Sequence, residues 1–278
     1  MSGCGLFSER FAGVQRVYGR AGLEVIRELH LCVVGLGGVG SWAVEALARS
    51  GVGRLTLIDH DRIESHNINR QIQALDSTAG RSKVEVMAER IGQINPECRV
   101  EAIDDFLTLQ TIDNYLAPPY DYLIDAIDSI SFKSAMIAHC RRHKRPIITA
   151  GGAGGMSDPS RILVADLSQT YNDPLASRVR ARLRRDYGFP REPGKRFGVE
   201  CVFSTEPPVY PQADGGVGHR KPELHGVSLD CRFGYGSLST VTAVFGFIAA
   251  ARALNKTLAK RLGKEARKNT PAVIAEPG

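Results

Sequence analysis

No two of the six cysteines, at positions 4, 32, 98, 140, 201 and 231, form a CxxC pair. That absence excludes a tetrathiolate zinc centre and a dense framework of secreted disulfides, and it fits a reducing cytoplasm. The start of the chain, Met1-Ser2-Gly3-Cys4-Gly5, has no basic stretch leading into an apolar one, so no secretory signal is expected there. No internal repeat is found. Long hydrophobic runs are scarce too. The longest, Leu238 to Leu254, mixes Val241, Val244, Phe245, Phe247 and Ile248 with Ser, Thr, Gly and Arg252, which is the lower limit for crossing a bilayer. It reads as a helix buried on all sides against a sheet or as a segment that associates with membrane, and no stable span is expected.

What is present suffices for a large core. Hydrophobic residues make up 43% of 278, so the chain should fold without metal or disulfide staples. Its length is compatible with one elaborated α/β domain. The net charge is +6 and unevenly placed, because Arg178, Arg180, Arg182, Arg184, Arg185, Arg191, Lys195 and Arg196 fall in one segment. Such a segment favours a polyanionic partner through phosphate contacts, the alternative being a solvated helix face.

Strand and helix signals alternate. Apolar runs at Leu31 to Gly35, Arg54 to Asp59, Arg99 to Asp104, Tyr122 to Ile127 and Pro146 to Ala150 predict five strands. Helical spacing over Ser41 to Ser50, Ser82 to Gln93 and Ser131 to His143 fills the gaps between them. The expected fold is therefore α/β, Rossmann-like, with a mostly parallel sheet and flanking helices. After Gly155 the pattern changes to strands at Arg161 to Asp166 and Val199 to Ser204, separated by the basic segment and followed by a Pro-, Gly- and His-rich loop. This half is expected to extend the same domain as a second lobe.

Gly35-Leu36-Gly37-Gly38-Val39-Gly40 follows the first strand and opens a helix. Gly35 makes the turn, Gly37 lets backbone approach phosphate, Gly40 packs helix on sheet, and the helix N-terminus supplies positive dipole. Asp59, at the tip of the next strand, is placed for ribose hydroxyls. To this point a dehydrogenase is equally possible. The sequel, Asp61, Glu64, Asn67, Arg70, Gln71 and then Lys83, shifts the reading to a triphosphate. Arg70 and Lys83 neutralise its charge, and Asn67 and Gln71 hydrogen-bond its oxygens. Asp125 and Asp128 flank the tip of the fourth strand, where ligands sit in open α/β sheets. Asp128 is the expected magnesium ligand, or else the N-cap of the next helix.

Taken together, Gly35 to Gly40, Asp59-x-Asp61, Glu64-x-x-Asn67-x-x-Arg70-Gln71, Gly80-x-x-Lys83 and Asp125-x-x-Asp128 resemble the adenylating family that activates ubiquitin-like and sulfur-carrier proteins. That resemblance spans about residues 10 to 165. It implies an ATP-binding half at about 10–155 and a substrate and dimer lobe at about 156–263 of a single adenylating domain, with 264–278 as a flexible tail. It further implies ATP and Mg2+ as cofactors, with Arg70 and Lys83 on the triphosphate and Asp128 on the metal. A homodimer follows as well, in which an N-terminal arginine reaches the partner's ATP site; Arg16 is the nearest match and Arg10 the second. The zinc pairs common in sulfur-carrier activators are missing, so no zinc is expected.

The segments Arg10-Phe11-x-Gly13-Val14-x-Arg16-x-Tyr18-Gly19, Tyr171-Asn172-Asp173-Pro174-Leu175 and Leu229-Asp230-Cys231 are similar to a tRNA-modifying branch of the same family. That similarity implies tRNA as the partner of the basic segment. It leaves open a monovalent cation, Na+ or K+, in the second lobe. Cys231 lies between charged neighbours and ahead of glycines, and is either a reactive thiol serving a cysteine desulfurase or acyl transfer, or a structural cysteine.

Overall fold

A computed structural model describes residues 3–212, 214–220 and 236–268. In chain order its elements are α1 (Gly3–Arg10), α2 (Ala12–Glu28), β1 (His30–Val34), α3 (Gly40–Arg49), β2 (Arg54–Ile58), α4 (Lys83–Ile94), β3 (Arg99–Ile103), α5 (Ile112–Tyr115), β4 (Tyr122–Asp125), α6 (Ile130–Arg142), β5 (Ile147–Ala150), β6 (Ile162–Asp166), α7 (Pro174–Asp186), β7 (Glu200–Ser204), β8 (Tyr210–Pro211), β9 (Val217–Gly218) and α8 (Ser239–Lys268). Seven strands form one sheet in the order β3-β2-β1-β4-β5-β7-β6. All neighbours are parallel except β6, which runs antiparallel to β7 at the edge. The five strands expected in the first half are all present, within a residue or two at each end. The two from the second half join the same sheet, and β7 slots between β5 and β6.

Pleating explains why the strand sequences are apolar throughout. Leu31 and Val33 of β1 point into a core shared with α2, α3, α4 and α8, while Cys32 and Val34 point into a second core shared with α6 and α7. Both faces are covered, so alternation of polar and apolar residues is absent from β1. The run Leu238 to Leu254 falls largely in α8, whose Val241, Phe245, Ala249, Ala250 and Ala253 are buried in the first core. It is the sheet-packed helix of the two alternatives. No helix among the described residues is long and apolar enough to cross a membrane. The helix continues to Lys268, beyond the point at which the tail was expected to begin.

His30, at the start of β1, is buried, with Nε2 2.8 Å from Thr56 Oγ1 and its ring edge-on to Tyr120. Burial, reinforced by Arg54, lowers its pKa to about 4. The unfolded chain then binds the proton more tightly than the folded one. The stabilisation is complete above pH 6.5 and is lost as pH falls towards 4. Between pH 7 and pH 5 the protein should lose about 2 kcal/mol of unfolding free energy through this residue. Urea titrations of the parent and of His30→Gln check this, since the loss should disappear from the variant; equal pH slopes in both would refute it.

Candidate active site

The parallel strands β1, β2, β4 and β5 end at one edge of the sheet, and a cavity of about 650 Å³ opens there. The glycine loop forms its floor. Gly35 has φ of +89°, which L side chains rarely adopt, and a Cβ on Gly40 would stand 1.7 Å from the Gly35 carbonyl oxygen. The turn and the approach of α3 therefore both require glycine. A Cβ on Gly37 would meet nothing within 4 Å, so that backbone faces open space in the cavity.

Asp59 at the tip of β2 accepts the Leu36 amide on Oδ2 and the Asp61 amide on Oδ1. It thereby ties the glycine loop to the next strand. Burial pushes its carboxyl pKa up, against the pull of Lys83 and those two amides. Asp61 Oδ2 lies 2.7 Å from Lys83 Nζ, whose side chain is buried at the start of α4. Asn67 is buried in a short turn, its Oδ1 accepting the Glu64 amide at 3.1 Å. Arg70 follows, with Nη1 donating to the His66 carbonyl at 2.8 Å and to Asn69 Oδ1 at 3.1 Å. Gln71 is held by Gln73, whose Nε2 also donates to the Leu36 carbonyl at 2.8 Å. Asp59, Asp61, Glu64, Asn67, Arg70, Gln71 and Lys83 line the cavity together with Gly35, Gly37, Gly38 and Asp128. Gly40 lies just behind, in the first turn of α3.

Asp125 and Asp128 part company. Asp128 is exposed, lines the cavity and makes no hydrogen bond or ion pair among the described residues. Ser129, not Asp128, occupies the N-cap of α6. Asp125, expected as a nucleotide contact, is wholly buried and does not line the cavity. Its Oδ1 lies 2.9 Å from Lys133 Nζ, and its Oδ2 accepts the Thr149 hydroxyl at 2.6 Å. Lys133, itself 1% exposed, also donates to the Ile127 carbonyl at 2.8 Å and so pins the turn that carries Asp128. The signal that could have revealed this pair was the lysine on an otherwise apolar stretch of α6, five residues beyond Asp128.

Asp59, His60 and Asp61 could also group around a cation, with ligand atoms within 4.8 Å. Asp59 is already committed to two amides and Asp61 to Lys83, which leaves Asp128 as the better hard-cation ligand. The remaining expectations lie away from the cavity. Arg16 is exposed on α2 with no partner among the described residues, whereas Arg10 donates to the Gln93 and Ile94 carbonyls at the end of α4. Cys231 lies outside the described residues. Burial pushes the thiols of Cys32, Cys98, Cys140 and Cys201 up, to about 12 for Cys98 and Cys140, so none of these four is an activated nucleophile.

A mostly parallel, Rossmann-like sheet whose glycine loop, acidic strand tip, Arg70, Lys83 and Asp128 meet in one cavity has the architecture of a nucleotide-binding adenylation fold. The chain belongs to the ThiF family, whose model matches residues 8–276. It is 52% identical to a tRNA threonylcarbamoyladenosine dehydratase of Escherichia coli, with 91% of this chain and 94% of that protein covered. A dehydratase of the same name from Haemophilus influenzae is 48% identical, covering 92% and 95%. The structure of the E. coli tRNA N6-threonylcarbamoyladenosine dehydratase in complex with ATP superimposes with a TM-score of 0.82 and 48% identity, over 94% of this chain and 97% of that one.

Proposed function

We propose that this chain catalyses the ATP-dependent cyclising dehydration of N6-threonylcarbamoyladenosine at position 37 of tRNA. The observation that carries this reading is that Arg178, from the basic helix α7, lines the same cavity as Gly37, Arg70, Lys83 and Asp128. A nucleotide cradle and a wall suited to a polyanion share one space. The likeness to the E. coli dehydratase along nearly its whole length supports the same reading.

In this reaction the threonyl carboxylate attacks the α-phosphorus of ATP and the α–β phosphoanhydride bond breaks. Pyrophosphate leaves, and the carboxylate remains as an acyl-adenylate. A ureido nitrogen or oxygen of the same modification then attacks the activated carbonyl, a ureido N–H gives up its proton, and a five-membered ring closes as AMP departs. The nucleoside ends one water lighter, and no protein nucleophile is needed. Arg70 and Lys83 offset the charge that develops on the bridging oxygen and on pyrophosphate. Asp61 keeps Lys83 extended into the site until triphosphate competes for it. Much of the acceleration comes from holding carboxylate and phosphorus in contact.

The exposed Asp128 carboxylate, unpaired among the described residues, fits Mg2+, which would supply charge neutralisation on the phosphate oxygens when bound. Asn67 and Gln71 hold phosphate oxygens, and Asp59 the ribose. Arg16, without a partner among the described residues, acts on the ATP site of a second copy in a homodimer, while Arg10 is occupied at the end of α4. The setting is cytoplasmic.

The test is release of pyrophosphate and AMP from ATP with Mg2+, using tRNA that carries or lacks the threonylcarbamoyl group, with mass analysis of the digested nucleoside. AMP release that requires the modification, with a nucleoside one water lighter, is the expected result. No turnover on either tRNA, together with adenylate formation on a small sulfur-carrier protein, would replace this reading with carrier activation.

A further inference from the structure

The cavity has a second wall that the nucleotide chemistry leaves unused. Beyond β5 the chain runs through Gly151, Gly152, Ala153 and Gly154, and this loop faces the cavity beside Arg178. Asp173 joins the two. Its buried carboxylate accepts the Gly152 amide at 3.0 Å and the Ala176 amide, in the first turn of α7, at 2.9 Å. A Cβ on Gly151 would stand 1.8 Å from Asp173 Oδ2, so the loop has to be glycine there to reach this carboxylate. One side chain thus fixes the loop and the helix that bears Arg178 as a single piece.

Most of the basic segment is engaged within the chain. Arg180 donates to Thr170, Arg182 and Arg185 pair with Asp186, Arg184 donates to the Pro190 carbonyl, Arg191 to the Arg184 carbonyl, and Lys195 lies beside Glu192. Arg178 has no partner among the described residues and lines the cavity. The amides of Ala153 and Gly154 likewise make no hydrogen bond among the described residues.

We infer that Arg178, assisted by the Ala153 and Gly154 amides, binds an anionic oxygen of the acceptor opposite the ATP subsite. That oxygen belongs to the reacting carboxylate or to a phosphate flanking the modified base. The inference rests on the tRNA reading above. A guanidinium fork matches either group, and backbone amides in a glycine-rich loop supply further donors to an anion. The contact holds the acceptor equally before and during attack on ATP and contributes nothing to binding ATP itself.

The experiment measures the affinity of Arg178→Ala for modified and unmodified tRNA by fluorescence anisotropy, alongside KM for each substrate. Arg20→Ala, which removes an exposed charge on α2 outside the basic segment and the cavity, is the control. Arg178→Ala should weaken modified tRNA about tenfold and raise its KM to match, with KM for ATP and kcat little changed. Arg20→Ala should stay within about twofold. Weakening of both tRNAs alike, with a shallower salt dependence, assigns the contact to a phosphate, whereas weakening of modified tRNA alone assigns it to the carboxylate. Unchanged affinity for both, or an equal loss in Arg20→Ala, overturns the inference. Intact tRNA binding that responds to Arg178→Ala, without modification-dependent turnover by the parent, overturns the proposed function and leaves the subsite standing.

Discussion

Arg70→Ala lowers kcat for AMP release about 10²- to 10³-fold. The guanidinium is nearly buried at the cavity wall, with one nitrogen committed to the His66 carbonyl and Asn69 and the rest uncommitted among the described residues. Mobile water replaces a fixed guanidinium only in part, so charge accumulating on departing pyrophosphate loses stabilisation when Arg70 is removed. The fold should survive the change. Trp42 Nε1 bonds to the Arg70 backbone carbonyl, which any residue supplies. Arg70→Lys should recover only part of the rate, since an ammonium keeps the charge and loses the planar fork. Steady-state pyrophosphate release at saturating ATP is the measurement, and a kcat within threefold of the parent would remove Arg70 from the mechanism.

Lys133→Met should unfold far more easily than the parent, by about 3 to 5 kcal/mol. The substitution leaves the Asp125 carboxylate in the core with only the Thr149 hydroxyl and the Ile127 amide, and it frees the Ile127 carbonyl. Burial already pushes the Asp125 carboxyl pKa up, with Lys133 and Thr149 pulling against it. Without the ammonium that balance fails. The double variant Asp125→Asn with Lys133→Met should regain much of the loss, because no unpaired charge then remains. Urea unfolding of the single and double variants measures both effects. A single variant within about 1 kcal/mol of the parent would mean that the pair carries little of the fold's stability.

These two residues mark the reach of the sequence. The place of Arg70 on the cavity wall was legible because its neighbours, Asn67 and Gln71, are set by local chain geometry within one short polar turn. The strands of the first half were legible for a similar reason, since each is a short apolar run ending in a loop residue. Asp125 was misread. Proximity to the strand tip suggested a ligand, but the Asp125 position is the last of β4, where the pleat turns the side chain into the protein beneath α6. The three-dimensional neighbourhood of Lys133 shows that the charge is answered from inside. The placement of β7 between β5 and β6 is likewise a long-range choice, with a helix and a basic segment intervening, and no local pattern encodes it. Arg178 was visible as one of eight basic residues, but which of them faces the cavity depends on the capping of α7 by Asp173.

The packing of α8 has a bearing on biogenesis. This helix is the last described element, yet its Val241, Phe245 and Ala249 close the core over Leu31, Val33 and Ile124, which lie in the first half of the chain. A ribosome releases the sheet before it releases the cover. Nascent or truncated chains therefore display the apolar back of β1 and β4, the kind of surface that holding chaperones and proteases act on. Arrival of α8 over β1 and β4, rather than assembly of the nucleotide motif, is the step that closes this core.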